Sequence, residues 1–147
     1  MDHATRHKQG IQMENGYFGI RRALTPLSFT GERMTGEAIG QIEFEHVHRY
    51  CFARDHVVGK RVLDCASGEG YGSFILASSA ASVKGLEIDP VALGHARAAF
   101  ARDNLEYIQG DAQSLPFDDG MFDVVVSFET IEHVPRPDLV LREFKRV

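Results

Sequence analysis

Cysteine is scarce in this 147-residue sequence, which contains two, and tryptophan is absent. The two cysteines, Cys51 and Cys65, have neither CxxC nor CxxH spacing, so the sequence favours neither a disulfide framework nor a zinc site. Cys65 lies at the end of a predicted buried strand, where a small apolar role is favoured over a reactive one.

Long apolar runs are also missing, and none approaches the length of a membrane span. The first ten residues, MDHATRHKQG, are too polar for the core of a signal peptide, so we predict a cytoplasmic protein with no membrane partner. A basic excess is absent as well, since the net charge is -5. Phosphate binding needs a basic surface, which disfavours a nucleic-acid backbone as partner.

The first 58 residues divide into two predicted segments. Residues 1–36 are punctuated by glycines and predict an irregular arm, whereas residues 37–58 predict a helical lid or cap segment. Phe44, Val47 and Cys51 would lie near one face of that helix. His46 and His48 would point about 200° apart on it, so they predict no metal site.

From residue 59 onward, short apolar stretches alternate with helix-like ones. Strands are predicted over 61–66, 82–88, 105–109 and 122–128, and helices over 70–79, 90–102 and 137–147. This alternation predicts an α/β fold with a parallel sheet joined by crossover helices. Asp89 followed by Pro90 is a helix-start signal, while 109–120 is too short and turn-rich for a full helix. The apolar run Val124–Val126 predicts a central strand covered on both faces.

Each predicted strand ends in a polar or glycine signal. Asp64, Gly68 and Gly70 follow the first strand, Glu87 the second, Asp111 the third, and residues 127–133 the fourth. Ligands of open parallel sheets bind at the carboxyl ends of the strands, so we expect these groups to converge on one edge. The GxG spacing alone is weak support for any ligand.

The acids of the first loop narrow the choice of ligand. A pyrophosphate beside Asp64 and Glu69 would be repelled by like charge, so a ligand with a cationic end is favoured. Glu87 could accept hydrogen bonds from ribose hydroxyls, or be a solvated strand end. Asp111 could accept from an adenine amino group while the Ala112 N–H donates to a ring nitrogen, or it could cap a turn. Together these residues indicate an adenosine without phosphates.

Four stretches, VLDCASGEGYG, VKGLEIDPVAL, IQGDAQSLPFDDGMFDVVVSFETIEHV and LREFKRV, resemble the successive motifs of class I S-adenosylmethionine-dependent methyltransferases of the UbiE-like "methyltransferase type 11" group. The resemblance runs from about residue 61 to 147 and implies a Rossmann-like parallel sheet with flanking helices. It implies S-adenosylmethionine as cofactor and S-adenosylhomocysteine as product.

The resemblance also assigns residues to the parts of the cofactor. Asp64, Gly68 and Gly70 would hold the methionine end, Glu87 the ribose, and Asp111 with Ala112 the adenine. The full predicted cofactor-binding set is Asp64, Ala66, Ser67, Gly68, Gly70, Glu87, Ile88, Asp111, Ala112, Gln113 and Phe128. Ala66 stands where the family has the first loop glycine, and we interpret the replacement as tolerated although alanine resists positive φ.

The resemblance implies methyl transfer to an O, N or C atom of a small molecule or glycan precursor. His133 is the candidate catalytic base, because histidine suits proton transfer near neutral pH, although an ordinary loop histidine fits the sequence as well. Residues 59–147 would be the N-terminal half of the cofactor-binding domain, with the last strands of the family missing. The fourth strand would then expose a long apolar edge that a second copy of the chain could cover.

Two other functions remain open from the residues. A non-catalytic cofactor-binding fragment would follow if half a domain cannot catalyse transfer. An NAD-dependent Rossmann oxidoreductase is disfavoured because the third fingerprint glycine is missing and the loop is acidic.

Overall fold

The computed structural model describes residues 41–147, with side chains from His46 onward. Its elements in chain order are α1 (Gln41–His56), β1 (Arg61–Cys65), α2 (Tyr71–Leu76), β2 (Ser82–Glu87), α3 (Pro90–Ala99), β3 (Leu105–Gln109), β4 (Val124–Val126) and α4 (Pro137–Arg146). The arm predicted over residues 1–36, and the start of the predicted segment 37–58, lie outside the described residues.

The four strands form one parallel sheet in the order β3-β2-β1-β4. Val62 of β1 pairs with Val83 of β2 on one side and with Val124 of β4 on the other. The predicted α/β fold is therefore confirmed. Strand order reverses between β1 and β4, and in such sheets this is where a ligand crevice opens beyond the carboxyl ends of the strands.

Alternate residues of β1 face opposite sides of the sheet and belong to two core clusters. Val62 packs into the cluster formed with α1, α2 and α3. Leu63 and Cys65 pack into a second cluster that includes Val140 of α4. Cys65 is fully buried, and burial raises the pKa of its thiol to about 12. The predicted small apolar role of Cys65 is confirmed.

Helix α1 packs one face onto the first cluster. The buried residues of that face are Val47, Tyr50, Ala53 and Val57. Their spacing of three or four residues is that of a single helix face. The sequence predicted Val47 correctly, but Cys51 is only half-buried and Tyr50 was not foreseen.

None of the helices within residues 41–147 is long and apolar enough to cross a membrane.

The start of α3 follows the predicted signal. Asp89 Oδ1 accepts a hydrogen bond from the Val91 N–H at 2.8 Å, and Pro90 occupies the first turn. The side chain thus satisfies an amide that has no partner inside the helix. This cap fixes the direction in which the chain leaves the end of β2.

The crossover between β3 and β4 contains no helix within the described chain, as predicted. Two residues of α4 bind its backbone instead. Glu143 accepts from the Leu115 N–H at 2.8 Å, and Arg146 donates to the carbonyls of Phe117 at 2.7 Å and Leu115 at 3.0 Å. Side chains of α4 therefore satisfy backbone groups that a crossover helix would satisfy internally.

Strand β4 differs from its prediction. Only Val124–Val126 pair, and within the described residues they pair with β1 alone, so β4 is a short edge strand rather than a long central one. The pairing with β1 does not extend further toward the N-terminal side of β4, because the Phe122 N–H donates to the Val147 carbonyl at 2.8 Å. The Asp123 side chain also binds the Arg61 N–H at 2.8 Å. The expected long apolar edge is thus reduced to three residues.

Candidate functional site

A cavity of about 350 Å³ opens at the carboxyl ends of the strands. Its wall is built from the loops that follow all four strands, with two side chains of α1. A volume of this order lies within the range of small-molecule sites. The expectation that the strand-end groups converge on one edge is met by most of them.

Ten of the predicted site residues lie in the cavity wall and two do not. Those in the wall are Ala66, Ser67, Gly68, Glu87, Ile88, Asp111, Ala112, Gln113, Phe128 and His133. Asp64 and Gly70 lie behind it.

The loop after β1 contains three residues with left-handed backbone. Ala66 has a φ of 63°, Gly68 of 55° and Gly70 of 90°. Only glycine adopts such angles without strain, so Ala66 carries a conformational cost of about 1–2 kcal/mol. A Cβ on Gly68 would meet nothing within 4 Å, so the chain at Gly68 borders open space.

Glu87 joins the first two loops of the site. Its Oε2 accepts from the Gly68 N–H at 2.9 Å and its Oε1 accepts from the Asp89 N–H at 2.9 Å. Glu87 is 7% exposed. A carboxylate has about four acceptor positions, so two fixed hydrogen bonds orient the group and leave capacity for two ligand hydroxyls.

Asp111 caps a turn and also borders the cavity. Its Oδ1 accepts from the Gln113 N–H at 2.8 Å, which is the turn alternative that the sequence left open. Asp111 is half-buried, and Ala112 beside it is buried within the same wall. Because the cap uses one oxygen for the backbone, Asp111 keeps a fixed orientation and retains acceptor capacity toward a ligand.

Asp64 faces the protein interior. It is fully buried, its Oδ2 accepts from Ser73 Oγ at 2.6 Å, and its Oδ1 accepts from the Tyr50 hydroxyl at 3.2 Å. Burial raises the pKa of Asp64 to about 6, against the lowering effect of those hydrogen bonds. The Asp64 side chain points to the same face as Val62, whereas the cavity lies beyond the strand end.

Gly70 of the loop and Gly72 of α2 are both required by tyrosines of the core. A Cβ on Gly70 would stand 2.6 Å from the Tyr107 hydroxyl, and that hydroxyl donates to the Gly70 carbonyl at 2.8 Å. A Cβ on Gly72 would stand 2.1 Å from the Tyr50 ring. Part of the glycine richness therefore serves packing, and Gly68 is the member that borders the cavity.

The loop after β4 forms the opposite wall. Phe128 packs edge-to-face against Tyr50, with ring centroids 5.1 Å apart. Glu129 has a left-handed backbone with φ of 52° and pairs with Arg49 of α1 at 2.5 Å. His133 lies in an exposed turn of the same wall, where its N–H donates to the Thr130 carbonyl at 3.0 Å. This wall is where an acceptor molecule could meet a bound cofactor.

The sequence predicted a helical lid or cap segment over residues 37–58 but named none of its residues as part of the site. Tyr50 and His46 both line the cavity, and Tyr50 is 5% exposed. The available signal was the spacing of Val47, Tyr50, Ala53 and Val57, which places Tyr50 on the buried face.

Among residues 46–147, no group of three or more His, Cys, Asp or Glu side chains could hold a metal ion.

The residues of the wall fit a phosphate-free adenosine cofactor. Gly68 leaves open space for close approach, Glu87 presents an oriented carboxylate, and Ser67 Oγ is buried without a hydrogen-bond partner among the described residues. Among the lining residues that the structure describes none is a lysine or an arginine, so these residues offer a pyrophosphate neither of its usual cationic partners.

Comparisons with known proteins agree with this geometry. The sequence profile of the family described as "Methyltransferase domain" matches residues 63–147. A protein of Mycobacterium tuberculosis H37Rv named "Probable S-adenosylmethionine-dependent methyltransferase Rv3030" is 32% identical, over 99% of this chain and 52% of its own length. A "Fatty-acid O-methyltransferase" of Mycolicibacterium smegmatis is 36% identical, over 71% of this chain and 42% of its own.

Solved structures give the same result for the fold. A Pyrococcus horikoshii protein superposes with a TM-score of 0.63 and 31% identity, covering 75% of this chain and 55% of its own. The chain spans about half the length of these curated relatives.

The profile match covers more than half of the chain and includes the loops after all four strands. The relatives of this chain include proteins whose names describe them as S-adenosylmethionine-dependent methyltransferases. The chain accordingly belongs to the type 11 group of class I methyltransferases, a membership that implies S-adenosylmethionine as its cofactor.

Proposed function

We propose that the protein transfers a methyl group from S-adenosylmethionine to an O, N or C atom of a small molecule or glycan precursor. The observation that carries the proposal is the single cavity wall shared by Glu87, Asp111, Ala112 and Gly68. Glu87 would bind the ribose hydroxyls and Asp111 with Ala112 the adenine edge. The cofactor supplies an electrophilic methyl group on a sulfonium.

The chain's task in such a reaction is alignment in a pocket that excludes water, because displacement at the methyl group needs the donor and acceptor in line. Tyr50 and Phe128, whose rings pack edge-to-face, supply aromatic surface to the cavity wall. His133 lies in that wall and would accept the proton of a hydroxyl or amine acceptor. An acceptor without a proton to lose would make His133 a contact residue only.

Binding of S-adenosylhomocysteine, measured by isothermal titration calorimetry, tests the cofactor half of the proposal. We expect saturable binding by the full chain and a loss of about 10- to 100-fold in affinity for Glu87→Gln, since hydrogen bonds to a charged group are lost. The matched control is Glu106→Gln on β3, an exposed acid that pairs with Lys84 away from the cavity. It should bind like the parent.

Two results would contradict the proposal. Absence of S-adenosylhomocysteine binding by the parent chain would reject the cofactor, and binding of NAD in its place would favour an oxidoreductase. Binding without transfer from radiolabelled S-adenosylmethionine to any hydroxyl, amine or carboxylate acceptor in a small-molecule panel would favour a non-catalytic cofactor-binding fragment. An assay of His133→Ala with an acceptor found in that panel then separates a base from a contact residue.

We also propose, as a lesser inference, that a second copy of the chain covers the edge of β4. The three paired residues offer unpaired backbone groups on their outer side within the described chain. Sedimentation velocity tests this, since a concentration-dependent dimer is expected and a monomer at all concentrations would reject it.

A further inference from the structure

The loop after β4 carries the candidate base His133, and its own hydrogen bonds fix it only in part. Ser127 Oγ ties the start of the loop to β1 by donating to the Cys65 carbonyl at 3.1 Å. Beyond that point, Thr130 Oγ1 donates to the Phe128 carbonyl at 3.0 Å, and the His133 N–H donates to the Thr130 carbonyl at 3.0 Å. These two bonds join residues of the loop to each other. They set its local turns but not its place relative to α1.

Glu129, in the middle of this loop, has a strained backbone. It is one of two non-glycine residues with positive φ in the described part of the chain, and it lines the cavity. A residue with a side chain keeps such a conformation only where other contacts hold it there. One such contact comes from α1, because Glu129 Oε1 accepts a hydrogen bond from Arg49 Nη1 at 2.5 Å. The ion pair thus joins the strained point of the loop to a different element of the fold.

The neighbouring Tyr50 fixes the turn of α1 from which Arg49 projects. The Tyr50 hydroxyl donates to Asp64 at 3.2 Å in the core, and its ring packs against Phe128. Arg49 lies at the surface instead, where its side chain is 36% exposed and that of Glu129 is 47% exposed. The same turn of α1 therefore has a buried anchor and, beside it, an exposed contact at the edge of the cavity.

The exposure of the Arg49–Glu129 pair limits what it can do. Ion pairs between exposed side chains contribute little to the stability of a whole protein and are screened by salt. A contribution of that size is still enough to shift the equilibrium between a closed and an open loop a few-fold. The pair is therefore unsuited to holding the fold together and suited to setting where the loop lies.

The surroundings of His133 also depend on this pair. A backbone hydrogen bond lowers the pKa of Glu132, and Glu129 lowers it further. The charges of His133 and Arg49 act on Glu132 in the same direction. Arg49 therefore acts electrostatically on the turn that contains the candidate base.

We propose that Arg49 is a positioning residue for the acceptor side of the cavity. By pairing with Glu129 it holds the loop after β4, and with it Phe128 and His133, in the position that forms this wall. Arg49 is not itself a lining residue, so it acts through Glu129. The inference rests on the proposed function, because it concerns the wall against which an acceptor would bind.

Hydrogen exchange of the full chain, followed by mass spectrometry of its peptic peptides, tests this hold without an acceptor. In Arg49→Met, peptides that cover residues 127–134 should exchange about two- to fivefold faster, because the ion pair no longer opposes local opening. The difference from the parent should shrink in about 1 M salt, which screens the pair. Arg49→Lys keeps the charge and should restore part of the protection.

Glu129→Gln is the matched variant on the loop and should speed exchange to the same extent. The double variant Arg49→Met/Glu129→Gln should exchange no faster than either single variant, because both substitutions remove one contact. Lys84→Met is the control, since it breaks another exposed ion pair, with Glu106, whose members do not line the cavity. It should leave the exchange of the loop unchanged.

Methyl transfer to an acceptor found in the small-molecule panel separates positioning from a general structural role. Arg49→Met should lower kcat/KM for that acceptor about 3- to 10-fold, because the wall that orients the acceptor is displaced. Its affinity for S-adenosylhomocysteine should stay within about twofold, and the midpoint of urea unfolding should not change. A structural role would instead lower the midpoint and the affinity together with the transfer.

Several outcomes would overturn the role of Arg49 while leaving the proposed cofactor intact. These are unchanged exchange of the loop in Arg49→Met, an equal rise in Lys84→Met, and equal losses of transfer and of S-adenosylhomocysteine binding. Failure of the parent chain to bind S-adenosylhomocysteine would overturn the proposed function, whereas the exchange of the loop would still show whether the pair holds it. Binding without transfer to any member of the panel would overturn both the reaction and the role of Arg49 in it.

Discussion

Residues 64–72, which run from the end of β1 through the loop after it into α2, have two sides that look alike in sequence and differ in the structure. The core-facing side consists of Asp64, Gly70 and Gly72, which contact Ser73 and two tyrosines. The cavity-facing side consists of Ser67, Gly68 and Glu69. Each side contains an acid and at least one glycine. The difference teaches that the direction of the Cα–Cβ bond decides the role of a glycine or an acid in a strand-end loop. A position directed toward the core serves packing, and one directed toward the cavity can serve a ligand.

The largest effect is expected from adding one methyl group on each of the two sides, at Gly70 on the core-facing side and at Gly68 on the cavity-facing side. Gly70→Ala combines a φ of 90° with a Cβ 2.6 Å from both Ala96 Cβ and the Tyr107 hydroxyl. We expect the free energy of unfolding to fall by about 3–5 kcal/mol, from overpacking together with backbone strain. Urea-induced unfolding followed by circular dichroism measures this change.

Gly68→Ala is the matched variant on the cavity-facing side. Its Cβ would meet nothing within 4 Å, so only the strain of a positive φ remains, about 1–2 kcal/mol. Equal losses for the two variants would contradict the division of the loop into two sides.

The second test uses the charge of the core-facing acid. The pKa of Asp64 is raised by burial to about 6, above its ordinary 3.8, so the folded state binds the proton more tightly than the unfolded state does. Protonated Asp64 therefore makes its full contribution to the free energy of unfolding below about pH 4. This contribution is lost as the pH rises through 6. The loss amounts to about 3 kcal/mol over that interval.

Asp64→Asn cannot ionise, and it keeps an oxygen that can accept from Ser73 or Tyr50. We expect the variant to gain stability relative to the parent as the pH rises from 4 to 7. Urea unfolding at each pH measures the difference. A constant difference between the two proteins would show that Asp64 titrates alike in the folded and unfolded states.

The smallest expected effect concerns the residue between the two sides. Ala66→Gly removes the strain of a φ of 63° but increases the freedom of the unfolded chain. We expect a net gain of about 0.5–1 kcal/mol in the free energy of unfolding. Ala98→Gly, an exposed position inside α3, is the control and should lose about 1 kcal/mol. A loss in Ala66→Gly would mean that the alanine methyl group contributes packing that outweighs its strain.

The fold could be predicted to a large extent from local patterns. The alternation of strands and helices, the Asp89 cap and the helix-free crossover depend on residues near one another in the chain, and all three were confirmed. The length of β4 was wrong because its limits depend on distant partners. The Phe122 N–H binds the carbonyl of Val147, which no local pattern around residue 122 indicates.

The site was predicted less completely, for the same physical reason. That loops meet at the carboxyl edge follows from a parallel sheet, so the positions of Glu87, Asp111 and Ala112 could be foreseen. The direction of Asp64 depends on Tyr50, fourteen positions earlier, whose hydroxyl reaches it from a helix outside the matched family region. Contacts between elements decide which of two equivalent acids borders a cavity.

The helix-free crossover has a consequence for how this protein can vary. Since Glu143 and Arg146 bind its backbone at Leu115 and Phe117, that part of the crossover is fastened by α4 rather than by a helix of its own. Residues 119 and 120 of its exposed turn are fastened as well, because Asp119 accepts from Arg146 at 2.8 Å and the Gly120 N–H donates to the Arg146 carbonyl at 2.8 Å. Asp118 beside them makes none of these contacts and is the position open to exchange. The anchoring pair on α4, by contrast, leaves little freedom for exchange, although neither side chain borders the cavity.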